Sequence, residues 1–174
     1  MKRIVLTFGL IAGAILSGMM LVNMKFIDEI GFDRSTIIGY TTMVLAFLMT
    51  YFGTRSYRDN VAGGVISFGR GLKVALLIAF VATICYVATW ELIYHKFAPD
   101  FGDKYAAHAI EKAKQKGATQ AELDKETKRM ADFREMYRNP LINVALTFLE
   151  PLPVGLLASL ISEGLLKRKE AVSS

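Results

Sequence analysis

Apolar residues run almost without charge through four stretches of the chain, residues 4–24, 37–52, 72–94 and 141–166. Each stretch holds about 16–26 residues, close to the ~20 that an α-helix needs to cross a bilayer core of about 30 Å. The pattern predicts an all-α integral membrane protein, a bundle of four transmembrane helices. Between the third and fourth stretches, residues 100–138 set apolar against charged positions at a helical period, which predicts a helical hairpin. Pro99 ends the third span's helix, and Asp100 can cap a new one with Phe101, Tyr105, Ala109 and Ala113 on one stripe. Gly117 reads as a stop. Thr119-Gln120-Ala121-Glu122 has the spacing of a capping box, in which the Thr side chain accepts a backbone N–H and the Glu reaches back. The next helix aligns Leu123, Met130, Phe133 and Tyr137 opposite a charged face. Asn139 and Pro140 then suit the N-cap and first position of span four.

About half of the 174 residues lie in the spans, and the rest is too dispersed for a second domain of ordinary size. The chain therefore reads as a single membrane domain, 1–174. The net charge of +5 does not point to nucleic acid, because the basic residues flank the spans. Anionic lipid and topology account for them. If four spans alternate, Lys2, Arg3, Arg55, Arg58, Arg70, Lys73, Lys167, Arg168 and Lys169 share one side. The short loop 25–36 on the other side has Lys25 and Arg34 against Asp28, Glu29 and Asp33. The positive-inside rule then places both termini in the cytoplasm and the hairpin outside. Met1-Lys2-Arg3 before an apolar run imitates a signal peptide, with an Ala12-Gly13-Ala14 site. Cleavage there would leave too short an apolar core, so an uncleaved first span is expected.

Gly63-Gly64 marks a turn in the inner loop, and Ser67 can cap span three. Arg55, Arg58 and Arg70 are candidates for lipid headgroups, against the plainer reading of topology-setting charges. Cys85, the one cysteine, lies within span three and reads as a packing residue. Gly9, Gly13 and Ser17 in span one, and Thr42, Ala46 and Thr50 in span two, recur every fourth residue. Small residues at that spacing let helices approach closely, and packing within one chain is the favoured reading over a dimer.

The strongest chemical signal is in span four. Asn143, Thr147 and Glu150 share one helix face. Glu150 lies about 14 Å in from the start of the span at 1.5 Å per residue. An ionised carboxylate at that depth is costly, so Glu150 should face protein or water. Pro151 and Pro153 leave the carbonyls of Thr147 and Leu149 without helical donors, and Gly155 adds freedom. A broken helix is expected there, with Glu150 and Leu152 displaced from helical geometry. Glu150 then either donates to a freed carbonyl or to another span, or handles ions, protons or a ligand. In span three, Glu91 and His95 stand at i, i+4, as an interfacial ion pair or part of a proton path. Tyr86, Trp90 and Tyr94 nearby suggest an aromatic belt. His108 is the other histidine, too little for a metal cluster. No phosphate loop, nucleophile elbow or zinc helix is present, and no catalytic residue, metal or cofactor is expected.

Segments along nearly the whole chain resemble a bacterial membrane-protein family catalogued as domain of unknown function 4199. They are Leu6-Thr7-Phe8-Gly9-Leu10-Ile11-Ala12-Gly13, Arg55-Ser56-Tyr57-Arg58-Asp59, Ile66-Ser67-Phe68-Gly69-Arg70, Trp90-Glu91, Met136-Tyr137-Arg138-Asn139-Pro140 and Phe148-Leu149-Glu150-Pro151-Leu152-Pro153-Val154-Gly155. The resemblance implies a small multi-spanning protein of the bacterial cytoplasmic (inner) membrane and brings no activity, substrate or cofactor.

The sequence favours a non-enzymatic role, a scaffold or accessory subunit in the lipid bilayer, with a homo-oligomer or a membrane protein as partner and no nucleic acid. The rival reading is a transporter or proton-coupled carrier built on Glu150, with Asn143, Thr147, Glu91 and His95 as its path. A cavity reaching Glu150 would favour transport, and a dry core would favour the accessory role.

Overall fold

A computed structural model describes residues 1–166. Lys167, Arg168 and Lys169, assigned above to the inner side, lie outside the described residues. The described chain is helical: α1 (Lys2–Lys25), α2 (Ile27–Ile30), α3 (Phe32–Asn60), α4 (Phe68–Lys96), α5 (Phe101–Gln115), α6 (Gln120–Arg138), α7 (Pro140–Leu149) and α8 (Leu152–Leu166). Four stretches are long and apolar enough to cross a membrane: α1, α3, α4 and the α7–α8 pair. The second span is longer than its apolar run. α3 has 29 residues, roughly 44 Å at 1.5 Å per residue, so polar ends extend past the apolar middle. The loop before it is partly replaced by α2, closed by Gly31 at φ 81°.

The spans run up, down, up and down. At one end Val5 of α1 packs with Val74 and Ile78 of α4 and with Tyr57 near the end of α3. At the other, Met20 and Met24 of α1 meet Trp90 and Ile93 of α4 beneath α5 and α6. The mid-bundle core joins Ala12 and Leu16 to Met43, Ala46, Phe47, Ala79 and Ala82, with Val154 and Ala158 of α8 against it. α3 and α4 touch each other, and each touches both α1 and α8.

Small residues set the contact between α1 and α4. A Cβ on Gly9 would come within 2.7 Å of Val81, and one on Gly13 within 2.6 Å of the Cys85 Cβ. One turn on, the Thr89 hydroxyl donates to Ser17 Oγ at 2.7 Å. Gly9, Gly13 and Ser17 thus oppose Val81, Cys85 and Thr89, and the stripe is used inside the chain. The second stripe also faces inward. Thr42, Ala46 and Thr50 are buried, and Thr50 Oγ lies 3.0 Å from Ser162 Oγ of α8.

The hairpin forms as the sequence predicts. The Thr119 N–H donates to Glu122 Oε2 at 2.7 Å, and the Glu122 N–H to Thr119 Oγ1 at 3.4 Å. Gly117 takes φ 78°. Its N–H bonds the Lys114 carbonyl and that of Ala118 bonds Ala113, the paired closure that ends a helix at a left-handed glycine. On α6, Met130 and Tyr137 are buried as predicted. On α5 the buried positions are Gly102 and Ala106, one residue on from the predicted stripe, because Phe101 and Tyr105 face a cavity. Two predicted caps fail. Asp100 and Ser67 hold the N-cap positions without a side-chain cap bond, and Asp100 pairs with Lys104 at 3.2 Å instead.

Candidate functional site

Span four is built in two pieces. Neither Pro151 nor Pro153 has an N–H to continue the ladder. Helical bonds persist on both sides, from the Glu150 N–H to the Leu146 carbonyl (3.2 Å) and from the Gly155 N–H to the Pro151 carbonyl (2.9 Å). Glu150 keeps φ −62° and ψ −53°. The expected displacement of Glu150 from helical angles therefore does not occur. α7 and α8 part at the residues whose helical donors are missing. The two pieces pack differently: α8 lies on both α3 and α4, whereas α7 packs chiefly on α4 and α6.

The polar face of α7 meets α4 rung by rung. The Asn139 side chain accepts the Leu141 N–H at 3.0 Å and starts the helix in register. Asn143, 1% exposed, accepts the Trp90 indole N–H at 3.1 Å. It also donates to the Tyr137 carbonyl at 3.3 Å, one of the last carbonyls of α6. The Thr147 hydroxyl donates to Asn143 Oδ1 at 3.3 Å. One turn deeper the Tyr86 hydroxyl donates to Glu150 Oε2 at 2.7 Å. Trp90 and Tyr86 stand four residues apart on α4, opposite Asn143 and Glu150. Trp90 is 7% exposed and buried under the hairpin, not part of an interfacial belt. Its ring meets Phe101 edge-on at 4.7 Å.

Where α7 leaves α3, a cavity of about 380 Å³ opens. Its walls are α1, α3 and α4, and Glu150 stands on it beside Tyr86. Phe101 and Tyr105 of α5 and Phe133 and Tyr137 of α6 form its roof. Among the described residues, Glu150 is the one carboxylate on this wall and no Lys, Arg or His lines it; the other titratable groups there are Tyr40, Tyr86, Tyr105 and Tyr137. A second polar point is Asn23, which donates to the Ser35 carbonyl at 2.9 Å and accepts from its hydroxyl at 2.7 Å. The roof is tied to the start of α3 through Asp33, which lies 2.5 Å from Lys112 and 3.5 Å from His108. Within the roof, Arg134 pairs with Asp103.

The sequence-predicted residues separate into three places. Asn143, Thr147 and Glu150 form one ladder. Glu91 and His95 pair with each other at 3.3 Å and stand off the cavity wall. Arg55 and Arg58 gather on Asp59 at 3.6 and 2.7 Å, Arg58 also reaches the Leu166 carbonyl at 3.4 Å, and Arg70 is exposed. Sequence reasoning missed Tyr86 as the partner of Glu150, the Asn23–Ser35 pair, the Asp33 tie and Glu163. Glu163 is fully buried in α8, seated where a side chain on Gly71 would stand. Its signal was a second acid in the last apolar run.

A family model described as "Protein of unknown function (DUF4199)" matches residues 7–168. The chain belongs to this family. The match runs from Thr7, through all four spans and the hairpin, so the ladder and the cavity both fall within the DUF4199 region. No curated protein and no solved structure matches the chain.

Proposed function

We propose that this protein is a non-enzymatic carrier of the bacterial cytoplasmic membrane that takes a small ligand into an intramembrane chamber and anchors it at Glu150. The observation that carries the reading is the cavity beside α7, with a single carboxylate on its wall held by Tyr86. A carboxylate can hold a proton or a cation in turn, which is the exchange a coupled carrier needs. The broken span supports it, since discontinuous helices line binding sites in many carriers. The orientation follows from charge. Lys2, Arg3, Arg55, Arg58, Arg70 and Lys73 belong to the end away from the hairpin, so both termini are cytoplasmic and the hairpin roofs the chamber from outside.

The accessory role read first from the sequence keeps one specific support. Span four is the least enclosed of the four, with 22% of its apolar window buried against 39% for α4. That leaves Leu157, Ile161 and Leu165 bare for a second membrane protein or another copy.

Proteoliposomes separate the two. Wild-type protein should dissipate an imposed pH gradient faster than empty vesicles with at least one of sodium, choline or tetramethylammonium as counter-cation. Glu150→Gln should stop this while thermal unfolding is unchanged. Equal rates for wild type, variant and empty vesicles with every counter-cation would overturn the carrier reading.

A further inference from the structure

We infer that the chamber's ligand is an amphiphilic organic cation, an ammonium group on an apolar body. This rests on the chamber reading above and names its ligand class. The wall holds one carboxylate and, among the described residues, no Lys, Arg or His. A bound anion would meet Glu150 with no compensating charge. An inorganic cation would lack ligands: among the described residues no three acidic, His or Cys side chains gather, and hard metals take several oxygens. An organic cation needs one carboxylate to pair with and a surface for its apolar body, and both groups line the cavity. Tyr86 bonds the carboxylate, Trp90 stands one turn further along α4, and Tyr40 and Tyr137 also line the cavity. Aromatic faces attract cations, most strongly where water is excluded. Met19, Met20, Met24 and Met43 line the remaining wall. Methionines are flexible and polarizable, and fit apolar bodies of varied shape. A volume of about 380 Å³ suits a small organic molecule. Tyr86 holds one oxygen of Glu150, which fixes the carboxylate and leaves its other oxygen for the ammonium.

Trp90 is the chain's one tryptophan and lines this cavity, so its fluorescence reports on the site. The probes are benzyltrimethylammonium and its uncharged isostere neopentylbenzene, titrated into protein in phosphatidylcholine nanodiscs with empty discs subtracted. The cation should change Trp90 emission saturably and bind at least about tenfold tighter than the isostere, a difference of ~1.4 kcal/mol. Glu150→Gln should remove that preference. If both probes bind wild-type protein equally, the cation class is overturned while the chamber stands; this comparison needs no variant. If neither binds, both the ligand class and the chamber reading fall.

Discussion

The Trp90 indole N–H donates to Asn143 Oδ1 across 3.1 Å, joining α4 to α7 in the buried half of the bundle under the hairpin. Asn143 serves three helices at once, because its amide also reaches the Tyr137 carbonyl at the end of α6. Asn143→Leu should therefore leave an indole N–H and a helix-end carbonyl unpaired in apolar surroundings, at a cost of about 1–3 kcal/mol each. Thermal unfolding in detergent should fall, and the Trp90 emission should shift. In a double-mutant cycle with Trp90→Phe, the two losses should not add. Additive losses would mean that the pair is not coupled.

The α1–α4 contact makes a sharper steric forecast. Gly13 lies against Cys85, whereas Gly18 on the same helix has open space around its Cβ position. Gly13→Val should lower stability by about 1–3 kcal/mol through overpacking. Gly18→Ala should stay within about 0.5 kcal/mol of wild type. Unfolding in a detergent series reads both, and equal effects at the two sites would contradict the packing.

The hairpin carries a pH dependence of known sign. The Thr119 backbone N–H and hydroxyl hold the Glu122 carboxyl below the usual glutamate range. A folded-state pKa below the unfolded value stabilises at pH above the unfolded value of about 4.3. That contribution disappears as pH falls through the lower folded value. Amide exchange over residues 120–123 should then accelerate relative to the middle of α6. Glu122→Gln, whose side chain does not titrate, should make the first turn insensitive to this acidification. An acid-induced change of equal size in wild type and variant would remove the capping box as its cause.

Orientation has a direct check. Cysteines at Lys116 and Lys128, in a Cys85→Ala background, should react with an impermeant thiol reagent in intact cells. Labelling only after lysis would invert the proposed topology.

Much of this architecture could be read from local chemistry. The spans follow from length and apolarity alone, and the hairpin from Gly117, the Thr119–Glu122 pair and Asn139-Pro140, each of which satisfies its own helix end. The ladder of Asn143, Thr147 and Glu150 was visible as a face, because 3.6 residues per turn fixes which positions align. Its partners were not. Which residues of α4 face Asn143 and Glu150 depends on how α7 and α4 rotate and slide against each other, and no local signal in either helix sets that. Ser67 and Asp100 show the opposite failure: a side chain suited to capping sits at each N-cap, yet neither makes the bond. The cavity was illegible for a further reason. Its wall draws on α1, α3, α4, α5, α6 and Glu150, whose mutual placement no single helix encodes, and the prolines state that a break occurs without stating its direction.

The seam at Glu150 and Pro151 also bears on biogenesis. Span four is synthesised after the other three, and its polar groups have their partners on α4, where Tyr86 and Trp90 wait with Glu150 and Asn143 still unmade. A nascent chain released before residue 139 would be a trio of α1, α3 and α4 with the indole and phenol on an open flank. The last span would then leave the insertion machinery carrying an amide and a carboxylate that bare lipid disfavours. Its docking thus needs a face of α4 already in place, and Glu150 joins the cavity wall only when that docking occurs.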